Sequence, residues 1–70
     1  MKCHFILDPN ERGGRHEIHN VDVQCYSPTR PNMNTAIDLR WHDNLETAQS
    51  YARSNFRSWN IGICPRCFHR

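Results

Sequence analysis

The sequence predicts an α+β fold, a small antiparallel sheet of three or four strands with one helix. Two kinds of apolar spacing support this prediction. Apolar and polar residues alternate in 1–7 and 36–41, as in half-buried strands. Apolar residues then recur at helical spacing between Leu45 and Phe56. At 70 residues, the chain is expected to form one domain over 1–70.

The first two strands are predicted to form a hairpin. In 1–7, Cys3, Phe5 and Leu7 share a face that we expect to be buried. The segment 8–14 contains Asp-Pro and Gly-Gly, which are typical of turns and of positive φ. The return strand covers 15–21, and its alternation places His16 and His19 on opposite faces. One metal ion therefore does not readily bind both histidines.

The second half is predicted to contain a third strand, the helix and a short fourth strand. Residues 25–34 are irregular, since two prolines fall within four residues. In strand 36–41, alternation directs Trp41 to the same face as the other odd-numbered apolar residues, Ile37 and Leu39. Asp43 is the expected N-cap of a helix over 44–57, with Glu46 three residues later as in a capping box. Residues 60–63 are expected to return as a strand.

Composition limits both the core and the classes of partner. Hydrophobic residues are 37% of the chain, and so small a core usually needs an additional constraint. No run of about 18 apolar residues is present, which argues against a membrane span, and without an export signal we expect a cytoplasmic location. The net charge is +2, but all seven acids lie at or before Glu46, so the four arginines of 47–70 give that segment +4.

The segment Cys64-Pro65-Arg66-Cys67 has the spacing of half a tetrahedral zinc site, because a tight turn can direct both sulfurs to one ion. The remaining two ligands are expected in the segment His16-Glu17-Ile18-His19 and at Cys25. We expect zinc to close the fold. The fourth ligand is open at this point, since Cys3, His16 or His69 could replace His19. Cys3 also suits the core as a small apolar residue.

A redox-active or disulfide-stapled small protein is the alternative interpretation of Cys64-Pro65-Arg66-Cys67. Redox dithiols usually place the first cysteine at the N-terminus of a helix, which lowers its pKa. Only three residues follow Cys67, too few for a stable helix. Cytosolic cysteines at this spacing also bind metals more often than they form disulfides. The spacing therefore favours a metal.

At His16-Glu17-Ile18-His19, Cys25, the helix 44–56 and Cys64-Pro65-Arg66-Cys67, the sequence resembles a group of short uncharacterised bacterial zinc-binding proteins. More distantly, it looks like zinc modules related to the metal-binding domain of the Ada DNA-repair protein. The resemblance implies that zinc is bound by the residues at the corresponding positions, which are His19, Cys25, Cys64 and Cys67. It supports a fold and a metal and implies no activity.

These features favour a monomeric binding module over an enzyme. Arginines lie close to Trp59 and Phe68 in the acid-free segment, at positions Arg53, Arg57, Arg66 and Arg70. Arginines among aromatic residues suit nucleic acid, and a protein partner fits equally well. A solvated helix face with Trp59 in the core is the alternative, and it is the commoner arrangement. A catalytic zinc would need an open coordination position, a general base and a substrate pocket, for which this chain has little room. If zinc were instead cargo, its removal would leave the protein folded.

Overall fold

Four strands and one helix make up the part of the chain described by the computed structural model, residues 2–23 and 30–67. Their order along the chain is β1 (Cys3–Leu7), β2 (His16–Asn20), β3 (Ile37–His42), α1 (Leu45–Asn55) and β4 (Ile61–Ile63). The predicted α+β class is confirmed, and each predicted strand and the helix has a counterpart in the structure.

The sheet is mixed, so the prediction of an antiparallel sheet is wrong for its last strand. The strand order is β3-β1-β2-β4. Strand β1 runs antiparallel to both β2 and β3, whereas β4 runs parallel to β2. The parallel pair follows from the connection: α1 carries the chain from β3 at one edge to β4 at the other. A helical crossover of this kind returns the chain in its original direction.

The hairpin between β1 and β2 turns tightly at Gly13-Gly14. The amide of Arg12 donates to the Arg15 carbonyl at 2.7 Å, and the amide of Arg15 donates back at 3.1 Å. Gly13 and Gly14 have φ values of 59° and 82°, which is the combination that a two-residue type I′ turn requires. The expectation of positive φ at this dipeptide is confirmed.

Helix α1 packs on one face of the sheet and forms the main core with it. The helix contributes Ala48 and Ala52, whose small side chains allow close approach to the strands. Buried core residues on this side are Phe5, Leu7, Ile18, Leu39, Ala48, Ala52 and Ile61. The opposite face of β1 was expected to be exposed, yet Ile6 is only 1% exposed. Ile6 pairs with His19, which is itself fully buried on that face.

Strand β3 contains a bulge that overturns the predicted orientation of Trp41. The register between β1 and β3 shifts between His4 and Ile6, and Arg40 opposite this shift has a φ of 72°. An extra residue in one strand reverses the alternation beyond it. Trp41 therefore leaves the core face and stacks on His4.

The helix begins one residue later than the predicted cap implies. Asn44 is the N-cap, and its side chain accepts a hydrogen bond from the Thr47 amide at 3.0 Å. The assignment of this role to Asp43 was therefore wrong. Asparagine caps helices as well as aspartate does, so sequence alone separates the two positions poorly. No helix in the described part of the chain has the length and apolar character needed to cross a membrane.

Candidate metal centre

The pairing of β2 with β4 aligns His19 with Cys64. Ile18 pairs with Ile63 in parallel register, and the Cys64 amide donates to the Ile18 carbonyl at 2.9 Å. The same register carried one residue further places Cys64 beside His19. Residues at equivalent positions of adjacent strands point to the same side of a sheet, so both lie on the face opposite α1.

Cys67 returns to the same place through a tight turn. Its amide donates to the Cys64 carbonyl at 3.2 Å, a bond that Pro65 does not interrupt because it lies inside the turn. One nitrogen of His19 and the sulfurs of Cys64 and Cys67 lie within 4.8 Å of one another, and all three residues are buried. The structure thus brings three of the four predicted ligands together.

The spacing of these atoms fits a metal ion. His19 Nδ1 lies 3.5 Å from Cys67 Sγ. Tetrahedral zinc, with bonds of about 2.1 Å to nitrogen and about 2.3 Å to sulfur, separates such ligands by about 3.5 Å. The second ring nitrogen, Nε2, is buried and has no hydrogen-bond partner among the described residues. One zinc ion binds one nitrogen of the ring, so two geometries are open. Binding at Nδ1 uses the spacing to Cys67 Sγ, and binding at Nε2 satisfies an atom that is otherwise buried without a partner.

The electrostatic surroundings favour the form of His19 that binds metals. Burial lowers the pKa of His19, the charge of Arg30 lowers it further, and the Asp8 carboxylate acts in the opposite direction. The net effect is a lowered pKa, so the ring is neutral at pH 7. Neutral imidazole is the metal-binding form. Asp8, expected from the sequence only to form a turn, thus also acts on His19 through its charge.

The remaining candidate ligands fall into two groups. Cys25 and His69 lie outside the described residues. His16 and Cys3 lie on the helix side of the sheet, away from the cluster. His16 stacks on Trp59 with ring centroids 3.8 Å apart, and Cys3 packs against the core. The predicted separation of His16 from His19 by strand alternation is confirmed.

Glu17, which lies between His16 and His19 in the sequence, forms an ion pair with Arg15. It shares a face with His19 but is 8% exposed, and Arg15 Nη2 lies 3.7 Å from its Oε2 atom. The Arg15 side chain also lies over Gly62 of β4, where an added Cβ would come within 2.4 Å of Arg15 Cδ. Glu17 therefore lies beneath an arginine beside the cluster.

Of the residues that the sequence offered for an aromatic and arginine surface, the structure describes Trp59 and three arginines. Trp59 lies between His16 and Phe56, stacked on both rings, so its faces are not available to a ligand. Three of the four arginines, Arg53, Arg57 and Arg66, are exposed. Phe68 and Arg70 lie outside the described residues.

Comparison with models of known protein families, with curated proteins and with solved structures finds no significant match. The chemistry of the cluster is therefore the basis for assigning a function.

Proposed function

We propose that this protein is a small domain closed by a structural zinc ion and that it serves as a binding module for nucleic acid or protein. The ligands would be His19, Cys25, Cys64 and Cys67. The observation that carries the proposal is the buried cluster of His19, Cys64 and Cys67, whose ligand atoms lie within 4.8 Å of one another. Two thiols and an imidazole are a donor set that zinc prefers.

A structural role is supported by where the cluster lies in the fold. His19 is in a central strand, and Cys67 is 48 residues later, beyond the edge strand β4. Strand β4 has only three residues, a short stretch of pairing to hold a sheet edge. Zinc at this point would fasten that edge to β2, and metal-binding free energy in small zinc domains is folding free energy.

Burial argues against a redox dithiol at the same cysteines. Cys64 is 1% exposed and Cys67 is 9% exposed. Thiol–disulfide exchange requires a thiolate that another molecule can reach. The described cysteines Cys3, Cys64 and Cys67 form no disulfide with one another. A closed metal site agrees better with these properties.

The binding role is supported by charge. Residues 47–67 contain Arg53, Arg57 and Arg66 and no acidic residue, and all three arginines are exposed. Such a surface attracts phosphates or acidic side chains. A charge of +3 over 21 residues is modest. We therefore propose either nucleic acid or an acidic protein as the partner.

Native mass spectrometry and amide NMR, each before and after chelation, test the structural zinc. We expect one zinc per chain, with loss of amide dispersion when a chelator removes it. Cys64→Ser and Cys25→Ser should each abolish stoichiometric zinc binding. Cys3→Ser is the matched control, since Cys3 is on the helix side of the sheet, and it should keep the metal.

Three results would contradict the proposal. A chain without zinc whose mass is four hydrogen atoms lower than that of the fully reduced chain would contain two disulfides. Full dispersion after complete chelation would mean that zinc is cargo and does not hold the fold. Retention of zinc by Cys64→Ser would remove that residue from the ligand set.

A further inference from the structure

A second surface lies on the same sheet face at the edge formed by β3, and its central residue is Trp41. The indole is 54% exposed, the highest value for a large apolar side chain in 2–23 and 30–67. It stacks on the His4 ring with centroids 4.1 Å apart and planes 13° apart. His4 thus supports part of the indole, and the rest faces solvent.

The backbone is distorted in a way that produces this exposure. Regular alternation would place Trp41 beside Leu39 in the core, and the bulge at Arg40 directs it outward instead. The left-handed conformation of Arg40, at φ 72°, costs about 1–2 kcal/mol for a residue with a Cβ. Bulges and strained residues of this kind are often found where a side chain is directed toward a ligand.

One carboxylate holds both the bulge and the stacked ring. Asp38 Oδ1 accepts a hydrogen bond from the Arg40 amide at 2.8 Å. The same oxygen lies 2.7 Å from His4 Nε2, which donates to it. The indole, the imidazole beneath it and the bulge are therefore fixed by Asp38 before any partner arrives. Preorganisation of this kind lowers the entropy cost of binding.

Two carboxylates contact His4, the residue that supports the indole. The Arg40 amide and the His4 ring, both hydrogen-bonded to Asp38, lower the pKa of its carboxyl group, and its side chain is 52% exposed. A second carboxylate, Asp22 Oδ2, accepts a hydrogen bond from the His4 amide at 2.8 Å. The Arg40 guanidinium interacts first with Tyr51 of α1 and then with the charge of Asp38, and both raise its pKa.

We propose that Trp41 and Asp38 bind the guanidinium group of an arginine side chain on a protein partner. A planar guanidinium can stack on an indole and donate hydrogen bonds to a carboxylate at its edge. Nucleic acid fits less well, because its phosphates would approach the carboxylates of Asp22 and Asp38. This inference rests on the proposed binding role and names its partner class, but it uses residues separate from the metal cluster.

Titration of the zinc-loaded protein with three short peptides tests this inference by NMR. The probes are acetyl-Gly-Arg-Gly-amide and the same peptide with lysine or citrulline in place of arginine. We expect the arginine peptide to shift the Trp41 indole N–H saturably. Citrulline has nearly the same shape without the charge, and it should bind at least about tenfold more weakly. Lysine should fall between them.

Two variants and a control locate the site. Asp38→Asn should weaken the arginine peptide about tenfold, since it removes the charge. Asp38→Asn also alters a contact of the bulge, so Trp41→Leu, which leaves Asp38 in place, is the second variant. Because this variant has no indole at position 41, its binding is followed by the backbone amide shifts of His4 and Asp38, which should no longer saturate with the arginine peptide. Met33→Ala is the control, because Met33 is 53% exposed but lies before β3, and it should change nothing.

Equal binding of the citrulline and arginine peptides would overturn the inference, as would the absence of any saturable shift at Trp41. A shift of Trp41 with oligothymidine but not with the arginine peptide would assign the surface to nucleic acid instead. Zinc content is measured on the same samples. A fully loaded protein that ignores the arginine peptide would overturn this inference alone, whereas a folded protein without zinc would overturn the proposed metal site.

Discussion

At the scale of single residues, Arg40 has a backbone conformation that arginine does not prefer: it is the one non-glycine residue with positive φ among the described residues. Its φ of 72° lies in the region that a Cβ makes unfavourable and glycine adopts freely. Two interactions accompany this conformation: the Arg40 amide donates to Asp38, and its guanidinium interacts with Tyr51. The fold therefore imposes a conformation that arginine does not prefer.

Comparison of Arg40→Gly with Arg40→Ala isolates that backbone cost. Both variants lose the contact with Tyr51, but only alanine keeps a Cβ. We expect the glycine variant to have the higher free energy of unfolding, by about 1 kcal/mol, measured by denaturant titration of the zinc-loaded protein. Ser54, exposed in α1, is the matched control, where glycine should be less stable than alanine by about 1 kcal/mol. The same order at both positions would show that Arg40 is unstrained.

At the scale of elements, two adjacent polar residues, Asp43 and Asn44, precede α1, and only Asn44 caps the helix. Asn44→Ala removes the side-chain acceptor for the Thr47 amide and should lower the free energy of unfolding by about 1 kcal/mol. Asp43→Ala is the control and should cost less than about 0.5 kcal/mol, as for exposed positions without a specific contact. Thermal unfolding of both variants measures the difference. If Asp43→Ala lowered the free energy of unfolding more than Asn44→Ala does, Asp43 and not Asn44 would be the N-cap.

The elements also show how far sequence could predict this fold. Strands β1 and β2 and helix α1 were foreseen because their spacing is local and regular. The direction of β4 could not be predicted from the sequence. It depends on α1 carrying the chain across β1 and β2, which lie between β3 and β4 in the sheet. The bulge at Arg40 was also missed, because Ile37, Leu39 and Trp41 alternate in sequence as if the strand were regular. A residue with positive φ other than glycine leaves no trace in that pattern.

The candidate site could be predicted from the sequence only for the ligands that sequence spacing identifies. Cys64 and Cys67 were recognised by their separation, and His19 was separated from His16 by strand alternation. The alignment of His19 with Cys64 depends on the parallel pairing of β2 with β4, which only the structure shows. The effect of Asp8 on His19 is likewise tertiary. Sequence therefore indicates which residues can bind a metal, and the register brings them together.

At the scale of the whole molecule, folding around zinc should release a defined number of protons. Cysteine binds zinc as thiolate and histidine as neutral imidazole. With pKa values of about 8.5 and 6.5 in an unfolded chain, three cysteines and one histidine release about three protons near pH 7.5 and about four near pH 5.5. For His19 the fold lowers the pKa. The unfolded state thus binds more protons below pH 6.5, and stability falls as the pH falls through that range.

The apparent dissociation constant for zinc should therefore rise about 1,000-fold for each unit of acidification near pH 7.5, and more steeply near pH 5.5. Competition with a chromophoric chelator across this range measures the slope. Cys3→Ser should leave it unchanged. His19→Cys should raise it to about four protons already at pH 7.5, because a thiol replaces an imidazole. A slope near two protons in the unsubstituted chain would mean that only two thiols bind the metal, and Cys25 would then leave the ligand set.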